Sequence, residues 1–556
     1  MSHSIPATAQ AVQLTGPDSL ELNPAKPVPK PEPHQLLLKV EATGLCYSDL
    51  KLLKQFDTHV RKTEVISGID TSILPQIPSY VPGKKPTVPG HEAVVRVVSA
   101  GPETRHPVGD LFLVQADYRW LLTESNNGAF GYDFEGALQE YVLVDERVIT
   151  SPEGDSMLLP VKADLSLSAI GLVEPWACVE DAYVSPERLT AKSGGRMLVV
   201  VDEHHAAKGV ENSFSPDGPP QSITWVAPGG VAPQIAGCET KGVASLDEVG
   251  SKPFDDIIYF GATPETIENL NDRIGAHGLF NIVLGGKKIG RDVEISVGRV
   301  HYGGIRFTGT ASDDAAQGLL AIPATPEVRP GEKALMIGAA GPMGVMHVIR
   351  VLCQGVPNVE VIASDFDDER LRSLDAKAEP LAKANSLKYC SINPQKDKNP
   401  VEASYVVLMA PVAALVANAV KTSLPKAIIN IFAGIPATVK HPIDIDRYID
   451  KGMYFIGTSG SSLDDMKIVL AKVVEGSLDT NVSVAAVSGM AGAIDGIRAV
   501  ENRTIAGKII VYPVLHELGL TPLEDLEEKY PSVHAKLRDG HWTKEAEREF
   551  LKVARI

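Results

Sequence analysis

Three apolar runs, each closing on a turn residue, occur twice in the same order and about 150 residues apart in the later part of this chain. Asp256-Ile-Ile-Tyr-Phe-Gly-Ala-Thr-Pro264 answers Ser404-Tyr-Val-Val-Leu-Met-Ala-Pro411. Phe280-Asn-Ile-Val-Leu-Gly-Gly286 answers Ile429-Asn-Ile-Phe-Ala-Gly-Ile435, and Gly304-Ile-Arg-Phe-Thr-Gly-Thr310 answers Gly452-Met-Tyr-Phe-Ile-Gly-Thr458. Apolar strands that alternate with helical stretches are the mark of parallel α/β units, and recurrence at a fixed period predicts that such a unit is duplicated. From about Gly194 onward this pattern holds. Before it, short β-branched runs such as Leu36-Leu-Leu-Lys-Val-Glu-Ala42 and Ala93-Val-Val-Arg-Val-Val-Ser-Ala100, separated by Pro, Gly and Asp, predict a β-rich domain. A chain of 556 residues also exceeds the roughly 250 to 300 residues that one core serves.

The two copies differ where a nucleotide would bind. In the second, Lys333-Ala-Leu-Met-Ile337 runs into Gly338-Ala-Ala-Gly341-Pro342-Met343-Gly344 and then a helix, Val345 to Gln354. Glycines at a strand-to-helix turn let the backbone approach a pyrophosphate, and the helix start offers free N–H groups. The next strand ends at Asp365, where a carboxylate accepts from the ribose hydroxyls and repels a 2′-phosphate, or else caps the following helix. NAD is thus expected, held by Gly338, Gly341, Pro342, Met343, Gly344 and Asp365, with Arg370 over the adenine and Ala433 at a neighbouring strand end. In the first copy, Met197-Leu-Val-Val-Val201 runs instead into Asp202-Glu-His204-His205-Ala-Ala-Lys-Gly209, a polar loop whose carboxylates would repel a pyrophosphate.

The formal charge of −17 carries no Lys/Arg block, which argues against nucleic acid as partner. No run of about 18 apolar residues exists, and the segment Met1 to Leu14 lacks a basic start followed by an apolar stretch. A cytoplasmic protein without membrane contact is expected. Five cysteines, scattered and odd in number, do not form a disulfide framework. After Pro513, Thr521 to Glu528 and Thr543 to Leu551 read as two short surface helices.

The β-rich part holds Gly44-Leu-Cys46-Tyr-Ser48-Asp49, then Pro89-Gly-His91-Glu92, and later Val173-Glu174-Pro-Trp-Ala-Cys178. In this order, followed by the nucleotide turn and by Ala506-Gly-Lys-Ile-Ile-Val-Tyr-Pro513, the chain resembles the zinc-containing medium-chain alcohol and polyol dehydrogenases. The resemblance implies a GroES-like β-rich catalytic domain joined to a Rossmann doubly wound parallel sheet, an α/β plus β fold with the Rossmann-like unit duplicated. The expected limits are 1–185 for the catalytic domain, 186–326 for the degenerate copy and 327–480 for the NAD-binding copy. Residues 481–556 would return to the catalytic domain and end in a helical extension.

By the same resemblance Cys46 and His91 are zinc ligands, and the third is Glu174 or Glu92. Thiolate, imidazole and carboxylate suit a tetrahedral site with one position open. Ser48 would carry the alcohol proton away and Asp49 would orient His91. One catalytic zinc is implied and no structural one, because the stretch Gly109 to Val142 holds no cysteine. The implied reaction is hydride transfer between NAD and a secondary alcohol, namely a polyol, sugar or sugar phosphate; a homo-oligomer (dimer or tetramer) paired through an edge of the nucleotide domain is implied, unless the extra copy covers or replaces that edge. Two rivals stand beside it: a zinc-independent NAD(P)H carbonyl or quinone reductase of the same fold, and a non-catalytic NAD-binding sensor. Between Cys46 and His91 the chain is about twenty residues longer than the family's usual gap, so the stretch around Ile66 to Pro82 is expected beside the site mouth, as a specificity element or lid. Lys51, Lys54, Arg61, Lys62, Lys84 and Lys85 flank it, as a solvated surface or as contacts for a substrate phosphate.

Overall fold

The computed structural model describes residues 5–162, 164–397 and 399–555. The chain forms two compact units, one made of 1–180 and 460–556, the other of 181–459. Among the described residues no helix is long and apolar enough to cross a membrane.

In the first unit the strand β1 (Gln35–Gly44) is central to an eight-stranded sheet and is buried along most of its length. It pairs antiparallel with β2 (Glu92–Ala100) so that Gly44 faces Glu92, and with Lys508–Val511 so that Gly44 also faces Ile510. This register decides the site. Cys46 follows the end of β1, His91 precedes the start of β2, and Lys508 opens the third strand, so residues far apart in sequence meet at one sheet end. The chain returns to this unit at Gly460, earlier than the expected 481, because the helix Leu463–Glu475 packs here: Gln115 Nε2 contacts Met466 Sδ at 3.2 Å and Lys472 pairs with Glu180 at 2.7 Å.

The last helix, Lys544–Val553, is not the plain surface helix expected. Its Glu547 is buried and accepts from the backbone N–H groups of Leu167 and Ser168 at 2.6 and 2.8 Å, so it caps the helix Leu167–Gly171. The long stretch after Cys46 is also nailed down. Lys62, fully buried, donates to the carbonyls of Val81, Gly83 and Lys85, each at 2.7 Å, and Leu74, Ile77 and Tyr80 join the core of this unit.

The second unit holds two six-stranded parallel sheets. The first copy comprises β3 (Arg196–Val201), β4 (Ser222–Val226), β5 (Glu239–Val243), β6 (Phe254–Phe260) and β7 (Ile274–Val283). It ends with β8 (Val293–Ile295), the helix α1 (Val297–Tyr302) and β9 (Arg306–Thr310). The second copy comprises β10 (Lys333–Ile337), the helix α2 (Pro342–Gln354), β11 (Glu360–Ser364), β12 (Lys388–Ile392), β13 (Tyr405–Leu408) and β14 (Ile428–Ile431). It closes with β15 (His441–Ile443), the helix α3 (Ile445–Asp450) and β16 (Tyr454–Ile456). The strand orders correspond one for one, β5-β4-β3-β6-β7-β9 against β12-β11-β10-β13-β14-β16. The matched sequence runs fall on equivalent strands of a duplicated Rossmann-type fold. In the first copy, however, no α-helix lies between β3 and β4, only a short 3₁₀ turn at Glu211–Ser213.

Candidate metal centre and nucleotide turn

Cys46 occupies the cap position of the helix Tyr47–Gln55. Asp49 Oδ2 accepts from the Cys46 backbone N–H at 3.1 Å, closing the turn, while its Oδ1 lies 3.1 Å from His91 Nδ1. One carboxylate thereby fastens the cysteine and sets the imidazole tautomer, leaving Nε2 facing inward. Ser48 Oγ lies 3.1 Å from Cys46 Sγ and 3.2 Å from His91 Nε2. Burial alone would lower the His91 pKa, but Asp49 and Tyr132 outweigh it and hold it well above the ordinary histidine value.

Cys46, His91 and Glu92 bring their ligand atoms within 4.8 Å of one another. Glu92 is fully buried, with Oε1 paired to Lys508 and Oε2 left without a hydrogen-bond partner. A Cβ at Gly44 would come within 2.2 Å of that Oε2, so the glycine of the motif is the clearance for this carboxylate. A buried, unpartnered carboxylate oxygen beside a thiol and an inward imidazole nitrogen is a donor set that fits zinc. Glu174, in the first turn of the helix Val173–Val184, is buried outside this trio. Burial raises its pKa to about 7, with Glu92 adding and His91 opposing. One turn on, Cys178 Sγ is 3.9 Å from Glu174 Oε1, and burial together with Glu174 and Cys46 keeps its thiol protonated, well above the usual range.

Five further residues extend the site. The Tyr132 ring lies 5.9 Å from His91 and 5.1 Å from His59, and its hydroxyl bonds Ser48. The Arg61 guanidinium stands 5.7 Å from the Tyr132 ring and forms a forked pair with Asp117. His59 is driven down to about 4 by burial, aided by Arg61 and Lys51. Lys508, although buried, is held charged by Glu92 and Cys46. Among the basic residues flanking the long stretch, Lys54 pairs with Asp18 and Glu501, and Lys62 is the buried staple. Arg61 is tied by these contacts to the row that leads to His91. Tyr132 and Asp117 lie in the stretch notable in sequence only for its lack of cysteine, where nothing local distinguishes them.

In the second unit the turn after β10 is built as the glycines suggest. Gly338 has φ +82°, Gly341 caps α2, and a Cβ at Gly344 would meet the Gly338 carbonyl oxygen at 2.3 Å. Pro342 takes the first helical position and Met343 the next. Asp365 follows β11, and its Oδ2 accepts from the Ala340 N–H at 3.0 Å, so it ties the turn together. The cap of the following helix, Asp368–Ala384, is Asp367 rather than Asp365, accepting from Glu369 and Arg370 at 3.0 and 3.1 Å. Arg370 Nε is 3.6 Å from Asp367 Oδ2, and Ala433 is buried beyond β14, bonded to the Leu408 carbonyl at 2.7 Å. At the equivalent end of the first copy, Asp202 accepts from the Tyr259 hydroxyl at 2.6 Å and from the Thr263 hydroxyl at 3.0 Å, which occupies the place of the glycine turn. His204 is exposed, and the candidate trio of Cys46, His91 and Glu92 includes neither it nor His205.

Residues 32–153 match the alcohol dehydrogenase GroES-like domain. Among curated proteins the chain is 25% identical over 245 residues to the uncharacterized protein YggP of Escherichia coli (strain K12), covering 40% of this chain and 57% of that protein. It is 25% identical over 214 residues to a mannitol-1-phosphate 5-dehydrogenase of Aliivibrio fischeri (strain ATCC 700601 / ES114), covering 36% of this chain and 49% of that one. The chain thus spans about half the length of the curated relatives it matches. Among solved structures, 2R,3R-butanediol dehydrogenase from Bacillus subtilis is similar with a TM-score of 0.49 at 15% identity, over 91% of this chain and 100% of that one.

Proposed function

We propose, from a chain that joins the alcohol dehydrogenase GroES-like domain to the Rossmann-type sheets of the medium-chain dehydrogenase/reductase family, that it is a zinc-dependent oxidoreductase moving a hydride between a secondary alcohol and NAD. The observation that carries this reading is the buried trio of Cys46, His91 and Glu92, with its unpartnered carboxylate oxygen. Zinc bound by these residues, with Glu174 as the further carboxylate, would supply polarisation of the alcohol oxygen. Asp49 holds the imidazole in the tautomer a ligand needs. Ser48 takes the alcohol proton, with Tyr132 bonded to it as the next group. Gly338, Gly341 and Gly344 leave room for a pyrophosphate, Pro342 and Met343 begin the helix behind it, and Asp365 favours NAD over NADP.

The substrate reading is a polyol or sugar. Asp117 as acceptor and Arg61 as donor, next to Tyr132, suit adjacent hydroxyls. Because Asp117 already neutralises Arg61 and Glu174 adds a second carboxyl, this end favours an uncharged polyol over a phosphate ester. The test is zinc content by mass spectrometry on protein made without chelators, with NADH formation followed over polyols, ketoses and sugar phosphates. Wild-type protein should hold one catalytic zinc and oxidise a polyol, and Cys46→Ser should lose both. Zinc-free protein whose turnover survives Cys46→Ser would leave the zinc-independent reductase standing instead, and tight NADH binding without any turnover would favour the sensor.

A further inference from the structure

The two α/β copies meet through equivalent elements. β8 and β15 pair antiparallel with Val293 opposite Ile443, Glu294 opposite Pro442 and Ile295 opposite His441. Matching strands paired head to tail about their midpoint are what a two-fold axis generates. The short helix after each strand then crosses to the other copy: α1 packs on β14 and β16, and α3 packs on β9. The clearances match as well. A Cβ at Gly309 of β9 would lie 2.7 Å from Ile449 of α3, and one at Gly457, just past β16, would lie 2.9 Å from the backbone of His301 in α1. Tyr448 donates its hydroxyl to the Phe307 carbonyl at 2.8 Å, and Arg306 donates to the Gly457 carbonyl at 3.2 Å. One continuous apolar cluster contains Val297, Val300 and Phe307 from the first copy with Ile443, Tyr448 and Phe455 from the second.

We infer that the first copy, residues 186–326, is a built-in partner subunit, so that a self-complementary face which two chains would share is closed within one chain. An interface of this reciprocal kind leaves the edge strand β16 covered, where an uncovered edge would recruit a second chain. The first copy has kept its interface elements while Asp202, Tyr259 and Thr263 fill the place of its nucleotide turn and the helix between β3 and β4 is gone. It is retained as a surface, and the chain carries one nucleotide turn. The packing of the two copies does not depend on the chemistry proposed above, and of the measurements that test it only the NADH titration rests on that reading.

The test uses the full chain with Glu294→Cys and Pro442→Cys, in a background where the exposed Cys390 is Ser so that it cannot link chains. After mild oxidation, peptide mass spectrometry and a non-reducing gel should find position 294 joined to position 442 within single chains. Sedimentation of the wild type over a wide concentration range should give the mass of one chain, 59.4 kDa, and NADH titration should saturate at one per chain. A disulfide-linked pair of chains, a dimer in sedimentation, two NADH per chain, or failure of the link to form would overturn the inference.

Discussion

Asp49 shows how much a single side chain decides here, since its two oxygens fix the Cys46 turn and the His91 tautomer together. Asp49→Asn should therefore weaken zinc retention about 10- to 100-fold in competition with a chelator, the usual effect of losing an orienting carboxylate. At the other end of the site, Arg61→Gln should raise KM for a polyol about 10- to 100-fold while kcat changes less, as expected for a lost charge-assisted hydrogen bond. Steady-state kinetics with a parallel melting curve check this, and an unchanged KM would remove Arg61 from substrate recognition. Asp133 is a third case. It is fully buried, one oxygen accepts from Ala129 and the other has no partner, and burial raises its pKa to about 8. The folded chain keeps a proton on Asp133 that the unfolded chain releases above about 4. Stability should thus fall as pH rises from about 4 towards 8, by about 1.4 kcal/mol per unit from this group, and level off above. Urea unfolding across that range should show this slope reduced in Asp133→Asn.

Among the elements, the long segment between Cys46 and His91 is tied together at its C-terminal end by the Lys62 charge. Lys62 has three carbonyl partners, and a donor to all three must be an ammonium, so the geometry argues for the charged form although burial lowers its pKa to about 8. Lys62→Met leaves three carbonyls without that partner and should destabilise the fold by about 3 kcal/mol in chemical denaturation. Amide exchange should rise first at residues 81–85. The local motifs were legible because each packs its chemistry into a few residues: Cys46, Ser48 and Asp49 lie on one turn, and His91 and Glu92 adjoin. Lys508 stood in a noted motif without a role, Arg61 was marked only as one of six basic residues flanking the long stretch, and Tyr132 and Asp117 gave no signal. Their meeting depends on pairings across the sheet and on loops that return from distant parts of the chain.

For the molecule as a whole, the shared cluster makes the two α/β copies one cooperative body rather than two domains in a row. Calorimetry should show them unfolding together, and Gly298→Val should lower that single transition, because a Cβ there would lie 2.1 Å from the Pro436 carbonyl oxygen. Two resolved transitions for residues 186–326 and 327–459 would contradict this. The sequence by itself determined the duplicated strand pattern, the single glycine turn and the short motifs around Cys46 and His91, since periodicity, backbone freedom and residue type are properties of a few neighbouring residues. Only the tertiary structure decided that Lys508 faces Glu92, that Arg61 reaches the row ending at His91, and that β8 of the first copy pairs with β15 of the second. Those outcomes rest on strand register and side-chain packing between segments far apart along the chain, which no local window of sequence contains.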